Sequence, residues 1–141
     1  MGTIIALRGI GNSGKSETIR ILHELMLNNG YQEIDGNYNQ RNDFYSIFLM
    51  NKIRIGITSS GDNYDLVHDN LEILINNGCE ICVCACRTYD RVPPGTNAAV
   101  EGFNNYTYRY IQKTYDNNIN TQTHTNAIDA QRLLTEIENL L

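Results

Sequence analysis

Short apolar runs alternate with amphipathic segments along this chain. Residues 3–9, TIIALRG, form a β-branched apolar run that predicts a buried strand. Residues 15–29 then place apolar side chains at helical spacing and are followed by Gly30, which can adopt the left-handed conformation that terminates many helices. The first 30 residues are therefore predicted to form a strand, a short loop and a helix.

The next part of the chain predicts a hairpin. Residues 42–62, NDFYSIFLMNKIRIGITSSGD, contain two apolar stretches that meet near Asn51 and Lys52, and isoleucines alternate with other residues in the second stretch. This alternation is typical of a strand, so we expect two strands joined by a tight turn.

A second unit of helix and strand follows the hairpin. Asp62 or Asn63 can cap a helix that ends at Gly78, and residues 80–86, EICVCAC, predict another buried strand. Alternating helices and strands imply a sheet with helices on both faces. We therefore predict one α/β domain over residues 1–141, a three-layer sandwich whose central sheet is mostly parallel and flanked by helices.

The last third of the chain has a weaker pattern. Residues 87–97, RTYDRVPPGTN, predict a loop because two prolines and a glycine interrupt regular structure. Residues 98–115 are compatible with a strand or a helix, and we favour the helix. Residues 118–122, NINTQ, could form a short last strand, after which Thr125 or Asn126 would cap a final helix.

Composition and charge narrow the class of protein. The 141 residues carry a net charge of −5, which argues against an extensive nucleic-acid surface. The sequence has no run of 18 apolar residues, and its start has no basic segment followed by a long apolar core. We expect a cytoplasmic protein without a membrane or secretory segment.

Four cysteines lie close together in GCEICVCACRT: Cys79, Cys82, Cys84 and Cys86. A strand would place alternate cysteines on one face about 6.6 Å apart. Zinc needs every sulfur at about 2.3 Å from the metal, so a straight strand fits it poorly. We interpret these residues as buried strand cysteines of a reducing compartment, with a metal site as the less favoured alternative.

The loop after the first predicted strand carries the clearest chemical signal. Residues 9–16, GIGNSGKS, match the pattern G-x-x-x-x-G-K-[ST], and we call them the glycine-rich loop. Glycines let successive backbone N–H groups point toward a phosphate, and the helix N-terminus adds partial positive charge. The lysine reaches the β- and γ-phosphates, and the serine hydroxyl can ligate Mg²⁺. The residues that we predict to bind the nucleotide are Gly9, Gly11, Asn12, Ser13, Gly14, Lys15, Ser16, Glu17 and Thr18.

On this motif the chain resembles the P-loop NTPase superfamily, and the order of its predicted strands and helices is loosely similar. The resemblance implies the P-loop NTPase fold, with a nucleotide at the carboxyl ends of the strands and Mg²⁺-dependent binding of ATP or GTP. Neither N-K-x-D nor D-x-x-G follows at the spacing of small GTPases, so ATP is favoured over GTP. Position 17, often a second hydroxyl residue in this superfamily, is Glu17 here.

Three charged residues outside the loop are further candidates. The resemblance implies a second acidic residue at a strand end near Mg²⁺, and Asp62, after IRIGITSSG, fits best together with Ser16. The alternative role of Asp62 is a helix cap. Arg87 and Arg91 follow the cysteine strand and could stabilise charge on a transferring phosphate, as Lys15 does. Alternatively, Arg87 pairs with Asp90 or with a helix end.

Other polar residues are weaker candidates. Asp35 could contact an acceptor or a water, although a turn before Gly36 explains it better. The histidines are isolated in sequence, and we predict His23 and His68 at the surface. Several aromatic and basic residues could stack on a base, although amphipathic packing is favoured: Tyr106, Tyr108, Tyr110, Tyr115, Arg109 and Lys113.

These observations support three functions. The first is a small kinase-like phosphotransferase or NTPase that transfers or hydrolyses the γ-phosphate of ATP with Mg²⁺. The second is a nucleotide-dependent regulatory switch that acts on a protein partner. The third is a nucleotide-binding module without turnover. The sequence identifies neither a small-molecule acceptor nor a protein partner.

Overall fold

A computed structural model describes residues 2–141, in which strands and helices alternate. The elements are β1 (Gly2–Gly9), α1 (Lys15–Asn28), β2 (Gln32–Gly36), β3 (Tyr45–Met50), β4 (Ile53–Thr58), α2 (Tyr64–Asn76), β5 (Ile81–Arg87), α3 (Thr96–Glu101), β6 (Tyr106–Gln112) and α4 (Ile119–Leu140). The predicted α/β class is confirmed.

The described strands form one mixed six-stranded sheet in the order β2-β3-β4-β5-β1-β6. The neighbours β4, β5, β1 and β6 are parallel, whereas β3 is antiparallel to both β2 and β4. The sheet is therefore mixed, with three parallel and two antiparallel pairings. The reason is the tight reversal at Asn51 and Lys52, whose φ values of 52° and 66° return the chain directly into β4.

Helices cover both faces of the sheet, an arrangement compatible with a three-layer α/β fold. Leu22 of α1 and Leu133 of α4 belong to the apolar core on one face, which includes Leu7 of β1. Leu71 of α2 and Val100 of α3 belong to the core on the other face. Among residues 2–141, no helix is both long enough and apolar enough to cross a bilayer.

The predicted ends of the first two long helices are confirmed. Gly30 and Gly78 follow α1 and α2 with φ values of 84° and 81°, in the left-handed region. Asn63 caps α2, because its side-chain oxygen accepts a hydrogen bond from the Leu66 N–H at 2.9 Å. Asp62 is therefore not the cap.

Two predictions for the last third were wrong. Residues 98–115 do not form one helix: α3 ends at Glu101, and Tyr106–Gln112 form β6 beside β1. In β6, the backbone N–H and C=O groups are satisfied by pairing with β1. The spacing of apolar residues along the sequence does not reveal this partner. Residues 118–122 begin α4 rather than a strand, and Asn118 is its cap, accepting from the Asn120 N–H at 2.9 Å.

The cysteine strand is buried as predicted. Cys82, Cys84 and Cys86 lie on β5 and Cys79 just precedes it, and all four belong to the core packed against α2 and α3. Burial raises the pKa of the Cys79 and Cys86 thiols to about 12.

Candidate functional site

The carboxyl ends of three adjacent strands meet around the glycine-rich loop. Gly9 at the end of β1 lies opposite Arg87 at the end of β5, and Arg8 lies opposite Gln112 at the end of β6. After β1 the chain enters α1 on one face of the sheet, and after β5 it enters α3 on the other. This divergence opens a crevice where ligands of open α/β sheets bind.

The backbone of the glycine-rich loop turns through two left-handed residues, a geometry that can form a cradle for an anion. Asn12 and Gly14 have φ values of 58° and 92°, and left-handed residues in such a turn bring successive N–H groups to one side. The Ser13 hydroxyl donates a hydrogen bond to the Ile10 carbonyl at 2.7 Å and braces the turn. Helix α1 begins at Lys15 without a side-chain cap among residues 2–141, so its first N–H groups remain available to a ligand.

Lys15 lies across its own loop. Its Nζ donates to the carbonyl oxygens of Gly9 and Ile10, each at 2.8 Å. Burial lowers the pKa of Lys15, and the nearby positive charge of Arg87 lowers it further. An anion in the cradle would stabilise the charged lysine. Ser16, the next residue, is half-buried at the start of α1.

Thr18 and Glu17, two further predicted nucleotide contacts, also bond to protein atoms. The Thr18 side chain is buried and its hydroxyl donates to the Gly14 carbonyl at 2.8 Å. The Glu17 carboxylate accepts from Arg20 at 2.9 Å. Arg20 also donates to the Asn42 carbonyl at 2.9 Å, so this pair holds the loop of residues 37–44 against α1.

Arg87 and Asp62 lie together beside the loop. Arg87 Nε donates to the Asp62 backbone carbonyl at 3.0 Å, and its Nη2 lies 3.5 Å from the Asp62 carboxylate. The guanidinium also approaches Gly11, where an added Cβ would lie 3.3 Å from Nη1. The alternative pairing with Asp90 is wrong, because the Asp90 carboxylate accepts from Thr96 and anchors α3.

Arg91 lies on an exposed loop at the wall of a cleft of about 630 Å³ that borders Arg87. The start of α2 forms the opposite wall. The lining residues are Asp62, Asn63, Tyr64, Asp65, Arg87, Asp90, Arg91, Val92, Pro93, Pro94 and Gly95. The cleft can hold a small molecule next to the arginine that faces the glycine-rich loop.

The sequence did not indicate Asp43 as a site residue. The Ser59 hydroxyl donates to its carboxylate at 3.2 Å, and the Ser59 N–H donates to the Phe44 carbonyl at 3.1 Å. Asp43 thus lies at the carboxyl edge of β4, beside the turn that leads to Asp62. The predicted hairpin implies that the start of β3 lies beside the end of β4, and the register of Tyr45 opposite Thr58 brings Asp43 to Ser59.

A buried ion pair behind the glycine-rich loop was also missed. Lys113 Nζ lies 3.0 Å from the Asp129 carboxylate, and both side chains are fully buried. The Lys113 N–H donates to the Arg8 carbonyl at 2.7 Å, so the pair joins α4 to the end of β1. The assignment of residues 98–115 to a helix hid this connection.

The weaker candidates lie elsewhere. His23 is buried, contrary to prediction: it stacks on Tyr38 with ring centroids 3.9 Å apart, and its Nε2 lies 2.8 Å from Glu33 Oε2. His68 is partly exposed, which agrees better with its predicted position at the surface. Asp35 lies in the exposed β2 at the far edge of the sheet rather than in a turn.

The tyrosines of β6 pack as amphipathic strand residues. The Tyr106 hydroxyl donates to the Cys79 carbonyl at 2.6 Å, and the Tyr110 hydroxyl donates to Glu101 at 2.6 Å. Tyr108 lies opposite Ile4, in the middle of the strand pair and away from its carboxyl end. Tyr115 differs from these three because it lies beyond β6, in the connection to α4.

Comparison of the chain with models of known protein families, with curated proteins and with solved structures found no match. Among residues 2–141, no group of three or more His, Cys, Asp or Glu side chains is arranged to hold a metal ion. The motif and the geometry of the crevice are therefore the features that bear on function.

Proposed function

We propose that this protein has the P-loop NTPase fold and is a Mg²⁺-dependent, ATP-binding phosphotransferase of the small kinase-like type. The observation that carries the proposal is the position of the GIGNSGKS loop, whose backbone forms an anion cradle at the crevice between β1 and β5. This loop combines the cradle with an uncapped helix start and two basic side chains. A glycine turn that only connected a strand to a helix would require none of these features.

The loop would bind the phosphates of ATP. The left-handed residues of the loop and the start of α1 would present backbone N–H groups to the phosphates, and Lys15 would exchange the Gly9 and Ile10 carbonyls for phosphate oxygens. The Ser16 hydroxyl and the Asp62 carboxylate would supply oxygen ligands of the kind that Mg²⁺ prefers, and Asp43 is a second carboxylate at the same edge. Bound Mg²⁺ would neutralise charge on the phosphates.

Arg87 would stabilise the transferring γ-phosphoryl group. Its guanidinium is held by Asp62 and approaches Gly11, so it lies between the phosphate cradle and the cleft. In transfer, the bond between the γ-phosphorus and the β–γ bridging oxygen breaks, ADP leaves, and an acceptor oxygen bonds to the phosphorus. The acceptor hydroxyl releases its proton to solvent or to a nearby carboxylate.

The cleft supports transfer over hydrolysis. Its volume of about 630 Å³ is within the range for small-molecule sites, and it opens beside Arg87 rather than at a distance. The switch that acts on a protein partner remains the second candidate. It is favoured by the apolar side chains beside Arg91, since Tyr89 and Val92 are 79% and 74% exposed.

The test measures ATP binding by calorimetry and ADP formation with Mg²⁺, with and without candidate small hydroxyl acceptors. Lys15→Ala should weaken ATP binding by about 100-fold or more, because the side chain supplies a full positive charge from within the loop itself. Arg54→Ala is the matched control, since it removes a cation at the amino end of β4, away from the glycine-rich loop. There Arg54 donates to the Asn77 carbonyl.

Each outcome separates the candidates. ADP formation that requires an acceptor supports the phosphotransferase, and turnover with water alone supports the switch or hydrolase. ATP binding without turnover supports a binding module. If the wild-type protein does not bind ATP, or if Lys15→Ala binds it equally well, the proposal is wrong.

A further inference from the structure

Strand β6 has one open edge. It is the last strand of the sheet, with β1 on one side and no described strand on the other. The Lys113 N–H donates to the Arg8 carbonyl of β1, and in a parallel ladder alternate residues bond to the same neighbour. The backbone of Arg109 therefore faces β1, whereas the N–H and C=O groups of Tyr108 and Tyr110 point away from β1.

The two ends of this open edge are occupied by local hydrogen bonds. The Tyr106 N–H donates to the Phe103 carbonyl at 3.4 Å, and the Gln112 carbonyl accepts from Arg132 at 3.0 Å. The outward groups between these ends have no partner among residues 2–141. A row of unpaired backbone donors and acceptors is a template for another strand.

The opposite edge of the sheet is protected against such pairing. Strand β2 has a register shift between Glu33 and Asp35, and both residues carry carboxylates. Bulges and charges on an edge strand disfavour pairing with another chain. Strand β6 is longer, with seven residues against five, and it pairs with β1 without a register shift. Its one charged side chain is Arg109.

The sequence of β6 is complementary to itself in one antiparallel register. A twofold axis at Tyr108 places Tyr106 opposite the partner's Tyr110 and Thr107 opposite the partner's Arg109. Each Tyr108 N–H then faces the partner's Tyr108 carbonyl, and each Tyr110 N–H faces the partner's Tyr106 carbonyl. The Tyr108 side chain is 45% exposed, and cross-strand aromatic pairs stabilise sheets.

The charged side chains also match in this register. The two copies of Arg109 would be diagonal neighbours, about 7–8 Å apart. Within its own chain, Arg109 Nη1 lies 2.9 Å from Glu136 Oε2, and the arginine side chain is 55% exposed. Each arginine would therefore gain a second carboxylate across the axis, in a cluster without net charge. An axis at Arg109 would instead place the two arginines directly opposite each other, which is unfavourable.

We propose that β6 pairs with β6 of a second copy of this chain, antiparallel about Tyr108, so that two sheets join into one. The tyrosines lie on one face of the joint sheet, and the cluster of Arg109 and Glu136 lies on the other. Tyr108 and Arg109 pair with the middle of β1, away from the glycine-rich loop, so the dimer does not require ATP.

The experiment measures the mass in solution by sedimentation velocity over a series of protein concentrations, without nucleotide. The wild type should change from one chain to two as the concentration rises. Tyr108→Pro removes an N–H that points away from β1, so it should preserve the fold by circular dichroism. It should raise the dissociation constant of the dimer at least about tenfold. Amide exchange at Tyr108 and Tyr110 should slow in the wild-type dimer.

Exchange of the two charges tests the register. Arg109→Glu leaves only carboxylates in the cluster and Glu136→Arg leaves only cations, so each variant alone should remain a single chain. An equal mixture of the two variants should dimerise, because opposite charges then meet across the axis. The control Arg41→Glu makes the same charge change on the exposed loop of residues 37–44 and should leave the dimer unchanged.

The outcomes are separate from those of the proposed function. A wild type that sediments as one chain at every concentration overturns the inference. A dimer that Tyr108→Pro does not weaken also overturns it, since that dimer uses another surface. If Tyr108→Pro lowers the thermal stability, the mixture of charge variants decides, because it leaves the backbone of β6 unchanged. ATP binding by the wild type and Lys15→Ala tests the proposed function whichever mass is found.

Discussion

At the scale of single residues, Gly14 meets two separate requirements. Its φ of 92° is in the left-handed region, which costs other residues conformational energy. Its missing side chain also leaves room for Asn126, whose Oδ1 would be 2.5 Å from an added Cβ. Gly30 shares the first requirement, with a φ of 84°, but no described atom lies within 4 Å of the position of its Cβ. The two glycines therefore form a natural pair for comparison.

Gly14→Ala should destabilise the protein more than Gly30→Ala. Backbone conformation alone predicts a loss of about 1–2 kcal/mol in the free energy of unfolding for Gly30→Ala, measured by urea denaturation. Gly14→Ala adds the clash with Asn126, so we expect about 2–4 kcal/mol and loss of ATP binding. Asn126→Ala in the Gly14→Ala background should recover part of this loss. Equal losses for the two glycine variants would contradict the steric argument.

At the scale of elements, β5 joins the two cores and leads into the site. Its alternate residues face opposite sides: Val83 belongs to the core that includes residues of α1 and α4, and Cys84 belongs to the core that includes residues of α2. The strand ends at Arg87, whose N–H donates to the Thr96 hydroxyl at 2.9 Å and so connects β5 to α3. Because β5 is packed on both faces, it holds Arg87 in a fixed position beside the glycine-rich loop.

The four thiols should be inert in the native protein. Burial raises the pKa of Cys79 and Cys86 to about 12 and raises those of Cys82 and Cys84 well above the ordinary value. Because the thiolate is the reactive form, an aromatic disulfide reagent at neutral pH should label none of them until the chain unfolds. Mass spectrometry should then find four labels per chain in denaturant. Rapid labelling of the native protein would show that β5 opens without global unfolding.

At the scale of the whole molecule, a buried ion pair connects distant parts of the chain. Lys113 follows β6, Asp129 belongs to α4, and the Lys113 N–H donates to Arg8 in β1. Arg132 also donates to Asp129 at 2.8 Å. Burial acts to raise the pKa of Asp129, but hydrogen bonds from Lys113, Thr114 and Arg132 outweigh it and hold the pKa below the ordinary 3.8.

Asp129→Asn should destabilise the fold by about 3–5 kcal/mol, since it leaves the Lys113 charge buried without its partner. The control Glu136→Gln removes the partner, at 2.9 Å, of the exposed Arg109 and should cost less than about 1 kcal/mol. Because the folded pKa of Asp129 is depressed, its contribution is complete above pH 3.8 and disappears as the pH falls through the lower folded value. Urea denaturation at pH 7 and pH 3 measures the losses of the two variants and the pH dependence of the wild type. Similar losses for the two variants at pH 7 would contradict the role of the buried ion pair.

The sequence by itself determined the features that depend on neighbouring residues. The run TIIALRG, the glycine-rich loop and the amphipathic residues 15–29 are contiguous, so β1, the turn and α1 could be predicted together. Gly30 and Gly78 marked helix ends because left-handed backbone is a local property. The α/β class followed from the same periodicity.

Only the tertiary structure decided which distant residues meet. Tyr106–Gln112 became a strand because β1 offers backbone partners to it, and the register of β3 against β4 brought Asp43 to Ser59. His23 is buried because Tyr38 and Glu33 pack against it from beyond α1. Asn126 faces Gly14 across more than 100 residues of chain. These contacts depend on sheet order and helix packing, which residue periodicity within a single sequence does not encode.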